Sequence, residues 1–450
     1  MKIPGLKKDL YEFQERGVDF IERNHGCALV ADEMGLGKTV QALAWLQLHP
    51  EVRPAIVVVP SAVKLGWKRE AHKWMSDPKT EVVHSRKPYR TNAQIVIINY
   101  DIVSAWTNVL IGMRPAVVVL DESHMIKNRC AKRTKAVRRL CKNVPHIIAL
   151  SGTPVINRPV ELFNTISIIK PDLFPSFWRY TQRYCGAKHN GYGWDYSGAT
   201  NTDELHHTLV DSIMIRRLKK DVLKDLPDKT RTIVPVEIDN RPVYRKAESD
   251  FIKWLKDIDP EKAKRAQGAI ALTEIEGLKQ LTIKGKMESV LDWIDNFLYT
   301  GEKLAVVFVH RKTADVITSE FPKISVHIDG SVVGQERQNA IDTFNTNPNT
   351  KLLVGNLKVM VGINLQSQCS NMLVVELGWV GPELLQAEDR IHRIGQKDSV
   401  NIWYLIGEKT VEEKILSLLV KKQKIIESVL DGKQIDDSST LDELLKEMTK

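Results

Sequence analysis

Cysteine is scarce in this sequence, and the spacing of its cysteines fits no metal or disulfide site. The five cysteines, Cys27, Cys130, Cys141, Cys185 and Cys369, are scattered, and no Cys-x-x-Cys pair occurs. A zinc ribbon or a disulfide framework is therefore not expected, and the pattern fits a reducing compartment. The histidines form no metal-binding constellation either.

Long apolar segments are also lacking. No apolar run approaches the roughly 18 residues that a transmembrane helix needs, and the N-terminal residues MKIPGLKK lack the apolar core of a signal peptide. We therefore expect a cytosolic or nuclear protein that does not bind membranes. Internal repeats and low-complexity tracts are absent as well.

The composition is that of a globular protein with a basic surplus. Of the 450 residues, 43% are hydrophobic and 27% charged, and the formal net charge is +9. This length predicts two to four domains that can each bury a sizeable core. The positive charge favours a polyanionic partner.

Short apolar runs that alternate with helical stretches occur in both halves of the chain. The runs are Cys27–Ala31, Ala55–Val59, Ile95–Ile98, Ala116–Leu120 and His146–Leu150, then Leu304–Val309, Ile324–Ile328, Leu352–Val354, Leu373–Leu377 and Val400–Leu405. This rhythm predicts an α/β fold with two doubly wound parallel-sheet lobes. We expect lobes at residues 1–236 and 285–410, a helical linker or protrusion at 237–284, and a C-terminal brace helix and tail at 411–450.

The segment DEMGLGKT follows an apolar run and precedes a helical pattern. A strand, a glycine loop and a helix N-terminus form a cradle whose backbone N–H groups bind phosphate. Lys38 is placed to reach the β- and γ-phosphates of a nucleoside triphosphate, and the Thr39 hydroxyl to hold Mg²⁺. Asp32 stands where the full phosphate-loop pattern has its first glycine, so only Gly35 and Gly37 provide conformational freedom. On this loop alone, a glycine-rich turn with a solvated lysine stays open.

Two carboxylates follow a second apolar run. Asp121 and Glu122 come directly after Val117–Leu120. Asp121 is suited to holding Mg²⁺, and Glu122 to orienting or deprotonating an attacking water. A solvated acidic turn is the alternative for this segment in isolation. Together with the glycine loop, it predicts a nucleoside triphosphatase.

The segment QAEDRIHRIGQ, Gln386–Gln396, carries Arg390 and Arg393 three residues apart. On a helix these two side chains would share a face. Two guanidinium groups on one face suit the charge that develops on a transferred phosphoryl group. A salt-bridged surface helix is the alternative.

These segments together resemble the superfamily 2 helicase-like ATPases, and within them the SWI/SNF-type DNA translocases. The similar segments are Tyr11–Gln14 with Gly17 (the Q motif), Asp32–Thr39 (motif I), Val57–Glu70 (Ia), Asn99–Tyr100 (Ib), Asp121–Asn128 (II), Leu150–Pro159 (III), Met214–Lys229 (the exit from the first lobe), Val307–His310 (IV), Ile328–Asn345, Gly362–Leu365 (V) and Gln386–Gln396 (VI). Arg183–Asn201 resembles the first-lobe insertion of the annealing-helicase, or fork-remodelling, branch.

The resemblance implies two tandem RecA-like lobes and a specific set of site residues. Those implied to bind ATP are Gln14, Asp32, Glu33, Met34, Gly35, Leu36, Gly37, Lys38, Thr39, Gly362 and Gln386, with Thr39 and Asp121 as Mg²⁺ ligands. Those implied to act in catalysis are Lys38, Asp121, Glu122, Arg390 and Arg393. Those implied to contact DNA are Ser61, Lys64, Trp67, Asn99, Tyr100, Lys127 and Asn128 in the first lobe, and His310, Arg311, Gly330, Ser331, Asn356 and Asn364 in the second.

The resemblance further implies a monomeric ATP-dependent translocase on double-stranded or forked DNA, without sequence preference. Its location would be cytoplasmic and nucleoid-associated in a bacterium or virus, and nuclear in a eukaryote. Fork remodelling, strand annealing and displacement of bound proteins all stay open, and protein partners are not predicted. One alternative is a strand-separating helicase on DNA or RNA. Another is a nucleic-acid scaffold that binds ATP without turnover.

Overall fold

The computed structural model describes residues 2–152, 154, 158–189, 191, 193–257, 266–360, 363–379 and 381–420. These residues form two compact units that divide between Asp225 and Leu226. Each unit is built on one parallel β-sheet, so the predicted α/β class with two doubly wound lobes is confirmed.

The first unit has a seven-stranded sheet flanked by helices. Its strands are β1 (Cys27–Val30), β2 (Ala55–Val59), β3 (Thr80–Val82), β4 (Ile95–Asn99), β5 (Val117–Asp121), β6 (His146–Leu150) and β9 (Met214–Ile215), in the spatial order β3-β4-β2-β5-β6-β1-β9. Its helices are α1 (Glu12–Arg23), α2 (Lys38–Leu48), α3 (Lys64–Trp74), α4 (Val103–Gly112), α5 (Lys132–Cys141), α6 (Phe163–Ile169), α7 (Phe177–Tyr184), α8 (Thr202–Val210) and α9 (Lys219–Val222). A separate hairpin pairs β7 (Lys188–His189) with β8 (Trp194–Asp195).

The central strands follow directly from the apolar runs. Every residue of β2 and β4 is buried, as expected for strands covered by helices on both faces. Each run ends at the same edge of the sheet, because neighbouring strands are parallel and in register. This edge carries the polar residues that follow β1, β5 and β6.

The second unit has a six-stranded parallel sheet. Its strands are β10 (Lys229–Val236), β11 (Leu304–Phe308), β12 (Ser325–Ile328), β13 (Leu352–Asn356), β14 (Asn371–Val374) and β15 (Val400–Gly407), in the order β10-β15-β14-β11-β13-β12. Its helices are α10 (Arg241–Asp257), α11 (Ala266–Leu298), α12 (Arg311–Glu320), α13 (Gly334–Thr346), α14 (Leu357–Met360) and α15 (Gly381–Glu388). Residues 411–420 are also helical.

The expected limit of the first lobe at residue 236 is wrong. Strand β10 pairs along its whole length with β15 of the second sheet, so the residues from Leu226 onwards belong to the second unit. The segment KTRTIVPV contains no apolar run that predicts a strand. Strand β10 lies at the sheet edge, where several of its side chains stay exposed. Within the stretch expected to be helical at 237–284, residues 241–257 and 266–284 are helical, and α11 continues to Leu298 and packs within the second unit.

Residues 411–420 brace the second unit, as their amphipathic pattern predicts. Val411, Ile415 and Leu418 are buried in the same hydrophobic cluster as β15 and α11. The rest of the expected brace and tail, 421–450, lies outside the described residues. No described helix is long and apolar enough to cross a membrane.

Candidate nucleotide-binding site

The loop between β1 and α2 has the backbone of a phosphate cradle. Gly35 and Gly37 have φ angles of 85° and 76°, a conformation that side chains rarely allow. Gly37 is the N-cap residue of α2, whose first residue is Lys38. The helix N-terminus therefore opens directly onto the loop, and the two glycines that the sequence offered supply the conformational freedom.

Lys38 curls back over the loop. Its Nζ donates to the carbonyl oxygens of Asp32 at 2.8 Å and Glu33 at 3.3 Å. Gly152, after β6, lies against the same place: a Cβ there would be 2.0 Å from Met34 Sδ and 3.2 Å from Lys38 Nζ. Only a glycine fits at position 152. The segments that follow β1 and β6 therefore both lie close to the Lys38 ammonium group.

A buried ion pair holds the start of the loop. The Asp32 carboxylate is fully buried and accepts from Arg217 Nε at 2.8 Å and from Gln41 Nε2 at 2.9 Å. Arg217 also donates to the carbonyl of Phe13 and to Gln41 Oε1. Asp32 thus anchors the loop where a glycine is usual. Sequence reasoning missed Arg217, although it lies in the segment recognised as the exit from the first lobe.

Gln14 lies next to the loop, in α1. Its amide donates to Leu36 O at 3.2 Å and accepts from Tyr11 N at 3.1 Å, and it is 2% exposed. A Cβ on Gly37 would come within 2.5 Å of this amide. Gln14 therefore packs against the loop, and its expected role in reading the adenine stays a prediction.

The two expected carboxylates lie at the end of β5. Asp121 Oδ1 accepts from the backbone N–H of Glu122 at 3.0 Å, and Glu122 itself adopts a left-handed conformation with φ 47°. Burial and the neighbouring charge of Glu122 raise the pKa of Asp121 to about 6, opposed by Trp67 and the Lys38 ammonium. His124 Nδ1 lies 3.3 Å from Glu122 Oε2. The strand end therefore concentrates negative charge close to the cationic loop.

Four residues expected to touch DNA in the first unit are buried instead. Trp67 is 3% exposed and its indole N–H donates to Asp121 Oδ2 at 2.7 Å, while the Tyr100 hydroxyl donates to Asp121 O at 2.7 Å. Lys64 Nζ donates to Val83 O at 2.8 Å, and Asn99 is 5% exposed. In this structure their side-chain polar atoms face the protein, and Trp67 and Tyr100 support Asp121. The role of these four residues in DNA binding stays a prediction.

The remaining first-unit DNA candidates are accessible. Ser61 and Asn128 are exposed. Lys127 is partly exposed and its Nζ lies 3.2 Å from Glu161. Their role in DNA binding stays a prediction.

The two arginines of the second unit do not lie on a helix. Helix α15 ends at Glu388, and turns follow, with Arg390 N bonded to Ala387 O at 3.0 Å. The expectation of a shared helical face for Arg390 and Arg393 is therefore wrong. Arg393 instead donates to the Oδ1 of Asn364, and Arg390 O accepts from Leu365 N at 3.2 Å, so the turns join the segment after Gly362.

Glu388 fixes the base of these turns. Its fully buried carboxylate accepts from Lys229 Nζ at 2.9 Å, Arg231 Nε at 2.7 Å and the Tyr404 hydroxyl at 2.6 Å. The two cations hold the pKa of Glu388 below its usual range despite burial. Gln386, an expected ATP contact, is 5% exposed in the same helix. Charged residues on β10 thus position the arginine turns, a coupling that the sequence did not indicate.

His310 does not point to a ligand. Its Nδ1 lies 2.5 Å from Glu376 Oε2 and its Nε2 lies 2.5 Å from Glu276 Oε1 on α11. Both ring nitrogens must then carry protons, and the two carboxylates raise the pKa of His310 to about 9. The ring is held between these two carboxylates, and a contact of His310 with DNA stays a prediction.

The other second-unit candidates are mostly accessible. Arg311, Gly330, Ser331 and Asn364 are exposed, while the Asn356 amide donates to Val309 O at 2.9 Å. Gly362 lies outside the described residues. The DNA-binding role of this set stays a prediction.

A comparison with protein families decides the identity of this arrangement. The SNF2-related domain matches residues 13–282, more than half of the chain. The chain belongs to the SNF2-related family. This membership accounts for the glycine loop and the paired carboxylates, which lie within the matched residues.

Individual members of the SNF2-related family are similar over nearly the whole sequence. The "SWI/SNF-related matrix-associated actin-dependent regulator of chromatin subfamily A-like protein 1" of Xenopus tropicalis is 34% identical over 94% of this chain and 45% of its own length. The human "DNA annealing helicase and endonuclease ZRANB3" is 32% identical over 95% of this chain and 41% of its own. The chain therefore spans less than half the length of these relatives.

A solved structure is also similar. The "Sulfolobus solfataricus SWI2/SNF2 ATPase core in complex with dsDNA" is 25% identical, covers 96% of this chain and 95% of its own, and superposes with a TM-score of 0.47.

Proposed function

We propose that this chain is an ATP-dependent translocase on double-stranded or forked DNA. One observation carries the proposal: the glycine loop with Lys38 and the carboxylate pair at the end of β5 occupy one sheet edge, close enough for the Lys38 charge to lower the pKa of Asp121. Such an edge is where open α/β sheets bind ligands. Membership of the SNF2-related family supports this reading over other nucleotide-binding folds.

Different residues of the first unit bind phosphate, would hold Mg²⁺ and activate the attacking water. Backbone N–H groups from Gly35 onwards and the Lys38 ammonium bind the phosphates of ATP, displacing Lys38 from the carbonyls that it now contacts. The Thr39 hydroxyl and the Asp121 carboxylate are the groups that would hold Mg²⁺, which would neutralise phosphate charge. A buried carboxylate beside a second negative charge fits a divalent cation. Glu122 orients the attacking water and accepts its proton.

The second unit supplies the arginines and part of the DNA contacts. Arg390 and Arg393 stabilise charge on the transferred phosphoryl group. Exposed polar residues, Ser61, Asn128, Arg311, Gly330, Ser331 and Asn364, contact DNA phosphates and fix position without reading sequence. The net charge of +9 supports a polyanionic partner. The name of the human relative, a DNA annealing helicase, supports strand annealing as the wider role.

Phosphate release with blunt duplex, forked, single-stranded DNA and RNA side by side tests the proposal. We expect duplex to stimulate turnover by wild-type protein. Lys38→Ala should abolish turnover while duplex binding survives, and Glu122→Gln should bind ATP but turn over little. Binding of ATP and DNA without any turnover in the wild type would instead favour the scaffold alternative.

A further inference from the structure

Two tryptophans lie together on the surface of the first unit. Trp178 on α7 is 37% exposed and Trp194 on β8 is 46% exposed. Their ring centroids are 4.2 Å apart at an interplanar angle of 79°, and His189 lies 5.4 Å from Trp194. We call Trp178, Trp194 and His189 the aromatic platform. Large aromatic side chains are usually buried, so an exposed group of this kind indicates a binding surface.

The platform rests on a rigid layer of other aromatic rings. Phe177 packs edge-on against Phe163 at 5.1 Å and Tyr196 at 5.3 Å. Phe163 is buried in the core of the first unit, next to Tyr180. The platform is therefore held by both α7 and the segment after β8. A preorganised surface of this kind loses little conformational entropy when a planar ligand stacks on it.

A strongly basic surface adjoins the platform. Residues 127–142 contain eight lysines and arginines and no acidic residue. Five of these cations are exposed along α5 and its end: Lys132, Lys135, Arg138, Arg139 and Lys142. Within the part of the chain that the structure describes, none of the five forms an ion pair with a carboxylate. We call these five residues the basic face.

Arg129 joins the basic face to the platform. Its guanidinium lies over the Phe177 ring, 4.1 Å from the ring centroid. Phe177 directly precedes Trp178 in α7. Its charge also lowers the pKa of Arg138, which shows that the two cations are close. The like charges repel one another, and a polyanion along this surface would relieve the repulsion.

The chemistry selects the ligand. The basic face suits phosphates, which a duplex and a single strand both offer. The platform needs an exposed π-face, which the stacked bases of a duplex do not offer and an unpaired base does. An acidic protein segment would satisfy the cations and leave the tryptophans without a partner.

We propose that the aromatic platform and the basic face together bind single-stranded DNA, with an unpaired base stacked on one of the two tryptophan rings and in edge contact with the other, and its phosphates along α5. This inference rests on the proposed function and names the DNA class, a duplex that continues into a single strand. Asp195 is an acidic residue next to Trp194. It lies opposite Lys188 in the hairpin and accepts a hydrogen bond from Ser197 N at 2.9 Å, so these groups partly offset its negative charge beside the platform.

Binding of labelled oligonucleotides by the full chain tests the site. The ligands are dT20, rU20, a blunt duplex, and the same duplex with a dT20 arm. The main variant is Trp178→Ala with Trp194→Ala. Tyr299→Ala is the matched control, because Tyr299 is 83% exposed in the second unit and belongs to neither surface. Trp194→Phe keeps a stacking ring, and thermal unfolding followed by far-UV circular dichroism reports on folding.

We expect the double variant to bind dT20 and the dT20-armed duplex roughly tenfold more weakly, with blunt-duplex binding and blunt-duplex-stimulated ATP turnover unchanged. Tyr299→Ala should match the wild type, and Trp194→Phe should lose less. Equal loss on blunt duplex, or no loss on dT20, would overturn the proposal. Equal loss on rU20 would widen the ligand to single-stranded nucleic acid and overturn the restriction to DNA.

A second variant leaves the tryptophans in place. Lys132→Ala with Lys135→Ala and Arg139→Ala should lower the slope of log affinity against log salt for dT20 by about 2, since each phosphate contact contributes about 0.7. An unchanged slope would exclude the basic face. Failure of the proposed translocase function would give a different result. The wild type would then show no duplex-stimulated ATP turnover, whatever its affinity for dT20.

Discussion

Arg217 shows how much of the nucleotide site depends on one distant residue. It reaches the phosphate loop from the end of the first unit and pairs with Asp32, whose side chain is fully buried. Removing one partner of a buried pair leaves an uncompensated charge, whereas a surface pair contributes little.

We expect Arg217→Gln to destabilise the protein by about 3–5 kcal/mol and to weaken ATP binding, measured by thermal unfolding and nucleotide titration. Arg217→Lys should restore only part, because an ammonium lacks the planar fork. Arg23→Gln is the matched control, since Arg23 pairs with Asp19 on the surface and should cost about 0–1 kcal/mol. A cost for Arg217→Gln as small as that of the control would remove Arg217 from the site.

His310 gives the second unit a defined pH dependence. Its pKa rises from 6.5 to about 9 on folding, and the pKa of Glu276 falls from 4.5 to about 2 because the His310 ring donates to it. The raised pKa stabilises the fold fully below about pH 6.5 and loses this effect as pH rises to about 9. The lowered pKa contributes above about pH 4.5 and is lost as pH falls to about 2.

The difference in thermal midpoint between the wild type and His310→Gln should therefore be largest between about pH 4.5 and 6.5. Allowing for partial exposure, we expect about 1–2 kcal/mol there, shrinking as pH rises towards 9. Glu276→Gln should remove part of the same effect. A difference that is constant from pH 6 to 9 would mean that folding does not raise the pKa of His310.

Arg393 and Arg390 are the residues whose role depends most on the family resemblance. We expect Arg393→Ala, and to a similar or lesser extent Arg390→Ala, to keep ATP affinity and to lower DNA-stimulated turnover by about 10³-fold or more, the usual contribution of an arginine finger. Nucleotide affinity and stimulated rate should be measured on each variant. A fall of less than about tenfold would assign these arginines a structural role, for which the contact between Arg393 and Asn364 already offers a basis.

At the scale of elements, one buried ion pair joins α11 to the helical residues 411–420. Lys286 Nζ is fully buried and donates to Glu412 Oε1 at 2.9 Å, Glu412 Oε2 at 2.6 Å and Leu405 O at 2.6 Å. The pair thus connects the long helix, the last strand of the sheet and the brace in one place.

We expect Lys286→Met to destabilise the second unit by about 3–5 kcal/mol, because Glu412 would be left buried without a counter-charge. Lys286→Met combined with Glu412→Leu should recover much of the loss, and denaturant unfolding of the single and double variants measures both. Equal destabilisation by the single and double variants would show that lost packing, and not an uncompensated charge, causes the destabilisation.

The elements also show what the sequence could and could not predict. Apolar runs predicted the central strands because buried parallel strands need such runs. Edge strand β10 was not predicted, because five of its eight residues are exposed and it therefore lacks an apolar run. The burial of Trp67 and Tyr100 could not be predicted, since a motif position does not reveal that one side chain donates to the Asp121 carboxylate and the other to the Asp121 backbone carbonyl. The pairs of Arg217 with Asp32 and of Glu388 with Lys229 join distant segments, and only the fold brings them together.

At the scale of the whole molecule, we propose movement along duplex DNA driven by ATP. The nucleotide and DNA contacts proposed for the residues of each unit suit a motor that tracks the backbone. Binding should then fall steeply with salt and differ little between unrelated sequences. Strand separation is not required for such movement, which distinguishes this function from that of a helicase.

Displacement of a third strand from a DNA triplex tests this claim most directly. The substrate is a duplex with a third strand at one end, and the readout is release of the labelled third strand and, in parallel, of either duplex strand. We predict that the wild type with ATP and Mg²⁺ releases the third strand and leaves the duplex intact, and that Lys38→Ala releases neither. Release of the duplex strands, or no release of the third strand by protein that hydrolyses ATP on DNA, would contradict the account.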